Sequence, residues 1–175
     1  MQYNICSREW ADGGRPVSHT AIAQGQYFIS DDPNAVITTV LGSCVAACIR
    51  DPRRGIGGMN HFVLPRSPTP LSDSRQSSRY GDDLMPRLVD ALLAGGAALH
   101  RLEATVFGGA NLSGSYYNIG ERNLDFALDF LAARGIPVID PPRLYAVGCR
   151  LEYWPVSGKL IHTALGNGKP GHKAS

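Results

Sequence analysis

The feature that most constrains the fold is a succession of short β-type segments in the first half of the chain. Four runs rich in β-branched, aromatic and other apolar residues follow one another, and turn residues separate them. Runs of this length and composition are typical of strands. We therefore predict strands at residues 27–30, 35–41, 44–49 and 59–64.

Two segments with helical periodicity lie in the second half. The first, residues 82–94, opens with two aspartates, carries leucine at every fourth position and stops at a glycine pair. The second begins at Asn118, with Glu121 three residues on as in a capping box, and ends at Gly135. Negative charge suits a helix N-terminus, and glycine often ends a helix. We predict two helices here, with further strand candidates at residues 103–107, 136–139, 145–153 and 160–165.

Strands with only two long helices favour a mixed arrangement over a regular alternation of strand and helix. We predict an α/β fold, a mixed β-sheet sandwich flanked by two main helices and resembling cysteine hydrolases. A chain of 175 residues with 43% hydrophobic content is the size of one domain. We expect a flexible N-terminal arm at 1–24, a single domain at 25–165 and a disordered C-terminal tail at 166–175.

Composition argues against several classes of function. Lysine and arginine number 17 against 15 acidic residues, and no basic run with interleaved aromatics is present, so we predict no nucleic-acid partner. No segment approaches the roughly 20 apolar residues that span a bilayer, and residues 1–14 are too charged for a signal peptide. We expect a cytoplasmic protein without membrane insertion. The cysteine and histidine spacings predict no metal site, and we expect no cofactor.

Cys44 is the first residue whose surroundings suggest chemistry. It follows Gly42 and Ser43, where a residue without a side chain lets the backbone come close and neighbouring amides can face a developing oxyanion. That pattern suits an acyl-transfer nucleophile. A turn followed by a buried strand cysteine explains the same residues, because reduced cysteines are often buried.

His61 is the nearest downstream base that could form a thiolate from Cys44, and a hairpin would place the two side by side. A satisfied histidine in a half-buried strand is the alternative. Thr38 has the strand parity of Cys44 and could orient the imidazole, although threonine is also an ordinary strand residue. Asn60 is a candidate for substrate or oxyanion binding.

Five ordered motifs resemble the chemoreceptor glutamine deamidase family, CheD, over about residues 25–165. The motifs are Thr38-x-x-Leu41-Gly42-Ser43-Cys44-Val45-Ala46, Gly57-Gly58-Met59-Asn60-His61-Phe62-x-Leu64-Pro65, Arg79-Tyr80-Gly81-Asp82, Val106-Phe107-Gly108-Gly109-Ala110 and Asn118-Ile119-Gly120-x-Arg122-Asn123.

The resemblance implies an enzyme that converts glutamines of methyl-accepting chemotaxis receptors to glutamate. It implies Cys44 as nucleophile, His61 as general base and acid, and Thr38 as the residue that orients His61. It also implies receptors, and a CheC-type phosphatase, as partners. Two rival readings remain: a non-catalytic adaptor that binds receptors or a phosphatase, and a papain-like thiol protease.

Overall fold

The computed structural model describes residues 9–10, 16–68, 79–110, 118–141, 143–144 and 147–165. Two helices, α1 (Gly81–Ala94) and α2 (Ile119–Ala133), and one turn of 3₁₀ helix (Leu99–Arg101) accompany the strands. The strands are β1 (Glu9–Trp10), β2 (Pro16–Ala21), β3 (Gln26–Ser30), β4 (Ala35–Leu41), β5 (Val45–Asp51), β6 (Ile56–His61), β7 (Glu103–Gly108), β8 (Arg143–Leu144), β9 (Cys149–Tyr153) and β10 (Leu160–Ala164).

These strands form two mixed sheets. The first has the order β1-β2-β4-β9-β10 and the second the order β3-β6-β5-β7-β8. Strand pairs β2–β4 and β7–β8 are parallel, and the other pairs are antiparallel. The predicted α/β sandwich with two main helices is confirmed.

Alternation along β5 divides the core into two layers. Val45, Ala47 and Ile49 pack with the buried leucines of α1 and α2, so this face of the second sheet meets the helices. Cys44, before the strand, and Cys48 within it pack with residues of β4 and β9, so the opposite face meets the first sheet. Successive side chains point to opposite faces of a strand, which is why one strand serves both layers.

Asp51, at the end of β5, ties the hairpin to the segment after α1. Its carboxylate is fully buried and accepts hydrogen bonds from the amides of Arg53, Arg54 and Ala98. Arg101 completes the set with an ion pair of 2.8 Å. Burial disfavours the charge, but the bonds from Arg101 and the amides prevail and hold the pKa of Asp51 below its usual value.

The expected N-terminal arm at residues 1–24 is wrong in its second part. Strand β2 pairs in parallel with β4, from Ser18 opposite Ala35 to Ala21 opposite Thr38. Residues 1–8 and 11–15 and the expected tail at 166–175 lie outside the described residues. The strand predicted at 136–139 is reduced to one bridge, between Val138 and Ala104.

Both predicted helices are confirmed at nearly the expected bounds. Helix α1 begins at Gly81 and ends at Ala94, before the glycine pair. Helix α2 is capped by Asn118, whose side chain accepts a hydrogen bond from the Glu121 amide. Within the described residues, neither helix is long and apolar enough to cross a membrane.

Candidate active site

The candidate nucleophile lies where the chain passes from the first sheet to the second. Strand β4 belongs to the first sheet and β5 to the second, and residues 42–44 form the bend between them. Gly42 and Ser43 are half-buried on this bend, while the Cys44 residue is only 6% exposed.

Three groups from elsewhere in the chain hold the carbonyl oxygens of the bend. The amide of Ala110 donates to Gly42, and the amide of Gly109 donates to Cys44, at 3.0 and 2.9 Å. The side chain of Asn123, in α2, donates to Ser43 at 3.1 Å. The backbone of the bend is therefore fixed by residues 65 to 80 positions downstream in the sequence.

Gly108 and Gly109 allow this approach because both have positive φ, at 109° and 72°. A side chain at Gly108 would place its Cβ 2.1 Å from the Cys44 carbonyl oxygen, so only glycine fits. A glycine pair after a strand is typical of a turn or a close backbone approach, and here the backbone it approaches is that of the bend at residues 42–44.

Asn123, the last residue of the fifth motif, is a positioning residue to which the sequence analysis assigns no role. It is fully buried, and its amide nitrogen bonds the carbonyl of Val63, at 2.8 Å, as well as that of Ser43. The signal that could have found it is an asparagine next to Leu124 in the predicted helix, because a polar side chain that such a helix buries needs hydrogen-bond partners.

His61 ends β6 on the face that carries Cys44. Val45 and Phe62 exchange two backbone hydrogen bonds, which puts His61 opposite Ala46 and makes Cys44 its diagonal neighbour. Diagonal neighbours have Cα atoms about 7–8 Å apart, within reach of long side chains. The predicted hairpin thus brings the two together. Among the described residues, His61 Nε2 has no hydrogen-bond partner, so the pair is adjacent without a bond between its reactive atoms.

Thr39 fixes the tautomer of His61. Its Oγ1 lies 2.8 Å from Nδ1 of His61 and 2.9 Å from the carbonyl oxygen of Ile22. A hydroxyl has one hydrogen, and the Ile22 carbonyl can only accept it. Thr39 must therefore accept from Nδ1–H, which leaves the lone pair of the neutral ring on Nε2.

This contact corrects the prediction that Thr38 orients His61. The threonine that contacts Nδ1 of His61 is Thr39, the next residue in the chain. Inward-facing residues of β4 are Ile37, Thr39 and Leu41, and Thr38 alternates with them. Thr38 shares parity with Cys44, which predicts one face for both only if the strand continues from residue 38 to residue 44. Parity is lost at the bend between the two, because residues 42–44 are not a strand.

Asn60 is also corrected as a substrate-binding candidate. It is fully buried on the helix-facing side of β6, opposite to the face of His61. Its side chain accepts from the Ala47 amide and donates toward Leu84 and Met85 of α1. Asn60 therefore joins the second sheet to α1 and does not face the thiol.

Burial changes the acidity of both reactive groups. It raises the pKa of the Cys44 thiol, although the residue's own amide, the charge of Arg79 and the Gln24 carboxamide act in the opposite direction. It lowers the pKa of His61 from 6.5 to about 4. At neutral pH the resting pair is thus a thiol beside a neutral imidazole, in which His61 can accept a proton.

A cavity of about 340 Å³ opens beside His61. The end of β2 and the segment between β2 and β3 form one wall, and residues of β4, β6 and β9 contribute the rest. Its lining comprises Ala21, Ile22, Ala23, Gln24, Thr38, Thr39, Val40, His61 and Arg150. Part of the expected N-terminal arm is therefore a wall of this site. Within the described part of the chain, no cluster of three or more histidine, cysteine or acidic residues could hold a metal.

Comparisons with known proteins place the chain among relatives of one kind. A family model described as CheD chemotactic sensory transduction matches residues 63–163, a range that begins just after His61. The chain is 52% identical over 138 residues to the probable chemoreceptor glutamine deamidase CheD of Rhizobium etli (strain CIAT 652), covering 79% of this chain and 75% of that protein. It is 46% identical over 139 residues to the protein of the same name from Caulobacter vibrioides (strain NA1000 / CB15N), covering 79% and 74%.

Among solved structures, the crystal structure of Bacillus licheniformis hypothetical protein YfiH is similar to this chain. The match covers 78% of this chain and 58% of the YfiH chain. The TM-score is 0.41 and the sequence identity 14%, a likeness too weak to support any conclusion about function. The sequence relatives are decisive, and the chain belongs to the CheD family.

Proposed function

We propose that this protein is a glutamine deamidase that converts the side-chain carboxamide of glutamines in chemoreceptors to carboxylate. The observation that carries the proposal is the hydrogen-bonded series from the Ile22 carbonyl through Thr39 to His61. It leaves the lone pair of the neutral ring on Nε2 of His61, a residue on the same face of the second sheet as Cys44. The names of the relatives, probable chemoreceptor glutamine deamidases, supply the substrate class.

The reaction begins with transfer of the Cys44 proton to His61 Nε2 as the sulfur adds to the carboxamide carbon. His61 then gives this proton to the leaving nitrogen, the C–N bond breaks, and ammonia departs from a thioester. Nε2 of His61 then removes a proton from water, and this water attacks the thioester. The C–S bond breaks, the proton returns to the sulfur, and glutamate is released.

The bend at residues 42–44 supports the charged intermediate of this reaction. Its carbonyl oxygens are all held by Gly109, Ala110 and Asn123, so they are turned toward these partners. Among the described residues, the Ser43 amide donates to no acceptor. A fixed and unoccupied amide beside a nucleophile is suited to bind an oxyanion, and we propose this role for the bend of Gly42 and Ser43, with the Ser43 amide as the donor.

The resting state follows from the two pKa shifts. A buried thiol with a raised pKa is not ionised in advance, so His61 must act as a true general base during attack. The expected partners are the cytoplasmic domains of chemoreceptors, and we therefore propose that the protein acts in the cytoplasm. A CheC-type phosphatase stays a further prediction.

The decisive experiment incubates the protein with a purified receptor cytoplasmic fragment and maps Gln-to-Glu conversion by mass spectrometry. We expect Cys44→Ala to lower the rate of ammonia release by at least about 1,000-fold, because no other group can form the thioester. Cys48→Ala is the matched control, since Cys48 is a buried cysteine on the same face with no part in the mechanism.

Wild-type ammonia release by Cys44→Ala would contradict the mechanism. The rival readings give different results in the same experiment. An adaptor would bind the fragment without any Gln-to-Glu conversion, and a thiol protease would yield cleaved peptides.

A further inference from the structure

A second crossover between the sheets lies beside the one that carries Cys44. Strand β2 leads into β3 through residues 22–25, as β4 leads into β5 through residues 42–44. Because β2 and β4 are parallel neighbours, both strands end at the same edge of the first sheet. The two crossovers therefore meet.

The crossover at 22–25 is firmly attached to the site. The Ile22 amide donates to the Thr38 carbonyl at 2.9 Å, and the Gly25 amide donates to the His61 carbonyl at 2.8 Å. Gln26 closes the turn by accepting from the Ala23 amide at 2.8 Å. A residue held between two such attachments has little freedom to move its backbone.

Gln24 is that residue, and its side chain contacts the candidate nucleophile. Its Nε2 lies 3.6 Å from Sγ of Cys44, a donor distance suited to the larger radius of sulfur. The oxygen of a tetrahedral intermediate is bonded to the carbon that the sulfur attacks, two bonds from Sγ. A donor already in contact with Sγ is therefore within reach of that oxygen.

We propose that Gln24 is a further catalytic residue, whose carboxamide donates a hydrogen bond to the Cys44 sulfur at rest and to the oxyanion of the tetrahedral intermediate. Its amide group has two hydrogens, so it can serve both atoms. As a neutral donor it stabilises charge on sulfur or oxygen without forming an ion pair. This role rests on the proposed deamidase function.

A different role for Gln24 makes the opposite prediction. Gln24 is an exposed residue above a buried thiol, and a side chain that only covers the sulfur would slow its reactions. Removing a cover would speed attack on reagents and substrates. Removing a donor would slow catalysis and make the thiol harder to ionise.

The test compares Gln24→Ala and Gln24→Glu with wild type, and uses Gln26→Ala as the control. Gln26 is a glutamine of the same turn that supports its backbone without contacting Cys44. Two quantities are measured: kcat and KM for ammonia release from the receptor fragment, and the pH midpoint for alkylation of Cys44 by iodoacetamide, read on the Cys44 peptide.

We expect Gln24→Ala to lower kcat about 100-fold, as for loss of one oxyanion donor, while KM changes less than about threefold. The alkylation midpoint should move to higher pH. Gln24→Glu should lower kcat at least as much and raise the midpoint further, because its carboxylate repels the thiolate. Gln26→Ala should change kcat by no more than about threefold.

Two results would overturn the proposal: faster alkylation with undiminished kcat in Gln24→Ala, or an equal loss of kcat in Gln26→Ala. The alkylation measurement needs no receptor. If wild type released no ammonia, the deamidase proposal would fail by itself. An unchanged pH midpoint for Cys44 alkylation in Gln24→Ala would then still overturn the proposed hydrogen bond from Gln24 to the Cys44 sulfur.

Discussion

At the scale of the residue, the two adjacent threonines of β4 differ only in which way they point. Thr39 faces inward and is 5% exposed, and its hydroxyl bonds both His61 and Ile22. Thr38 is half-buried on the other side of the strand. The chain therefore carries its own control for the importance of one hydroxyl.

Thr39→Val should lower kcat for ammonia release by on the order of 100-fold, because Nδ1–H of His61 loses its acceptor and the ring loses its fixed tautomer. Thr38→Val should change kcat by less than about threefold. Steady-state kinetics on the receptor fragment measures both. A larger loss in Thr38→Val would return the orienting role to Thr38.

Burial of His61 also predicts how stability depends on pH. Its pKa is 6.5 for an exposed histidine and about 4 in the fold, so the unfolded chain binds this proton first. The contribution of His61 to the free energy of unfolding is complete above pH 6.5. It is lost as the pH falls toward 4, at up to about 1.4 kcal/mol per pH unit. The pKa of Asp51 is lowered from 3.8 in the fold, so the effect of Asp51 on the free energy of unfolding changes mainly below pH 3.8, outside this window.

We expect the free energy of unfolding to fall between pH 6.5 and 4.5 by about 2–3 kcal/mol more in wild type than in His61→Gln. Urea unfolding at several pH values in this window measures the difference. All other titratable groups are the same in the two proteins, so their effect on stability is subtracted in the comparison. Parallel curves for the two proteins would show that His61 titrates normally in the fold.

At the scale of the element, the bend at 42–44 depends on α2 and on the turn at 108–110. Gly120 in α2 lies against that turn so closely that an added Cβ would be 2.2 Å from the Gly109 carbonyl oxygen. The helix and the turn are therefore in backbone contact. Displacing one moves the groups that hold the carbonyls around Cys44.

Gly120→Ala should lower kcat at least tenfold and destabilise the fold by about 1–3 kcal/mol through overcrowding, although alanine in a helix is ordinarily stabilising. Gly135→Ala is the control, because φ there is +66° but no atom lies within 4 Å of the added Cβ. It should cost about 1 kcal/mol and leave kcat within about threefold. Kinetics and urea unfolding separate the two effects. Equal losses of kcat would show that the site senses only general stability.

At the scale of the whole molecule, the site exists because two sheets meet at one edge. Thr39 comes from the first sheet and His61 from the second, and Cys44 lies on the bend between them. Gln24 comes from the neighbouring crossover. No single element carries more than one of these four groups.

Local pattern was enough to predict most elements. Strand β4 has the predicted bounds, and both helices end where glycines follow them. Strand β2 was missed because its sequence, Pro-Val-Ser-His-Thr-Ala, is half polar and lacks a clean alternation. Residues 18–21 of β2 each pair with a residue of β4 that is 17 positions later in the sequence. A pattern read over a short stretch of sequence cannot detect such pairing.

The sequence by itself determined most of the elements, the family and the adjacency of Cys44 and His61, because a hairpin and a set of ordered motifs are local features. Only the tertiary structure decided that Thr39, and not Thr38, meets His61, that Asn60 faces the helices, and that Gln24 and Asn123 reach the Cys44 bend. The physical reason is that side-chain parity holds only within a continuous strand. Across a bend, or between two sheets, the packing of distant segments decides which side chains meet.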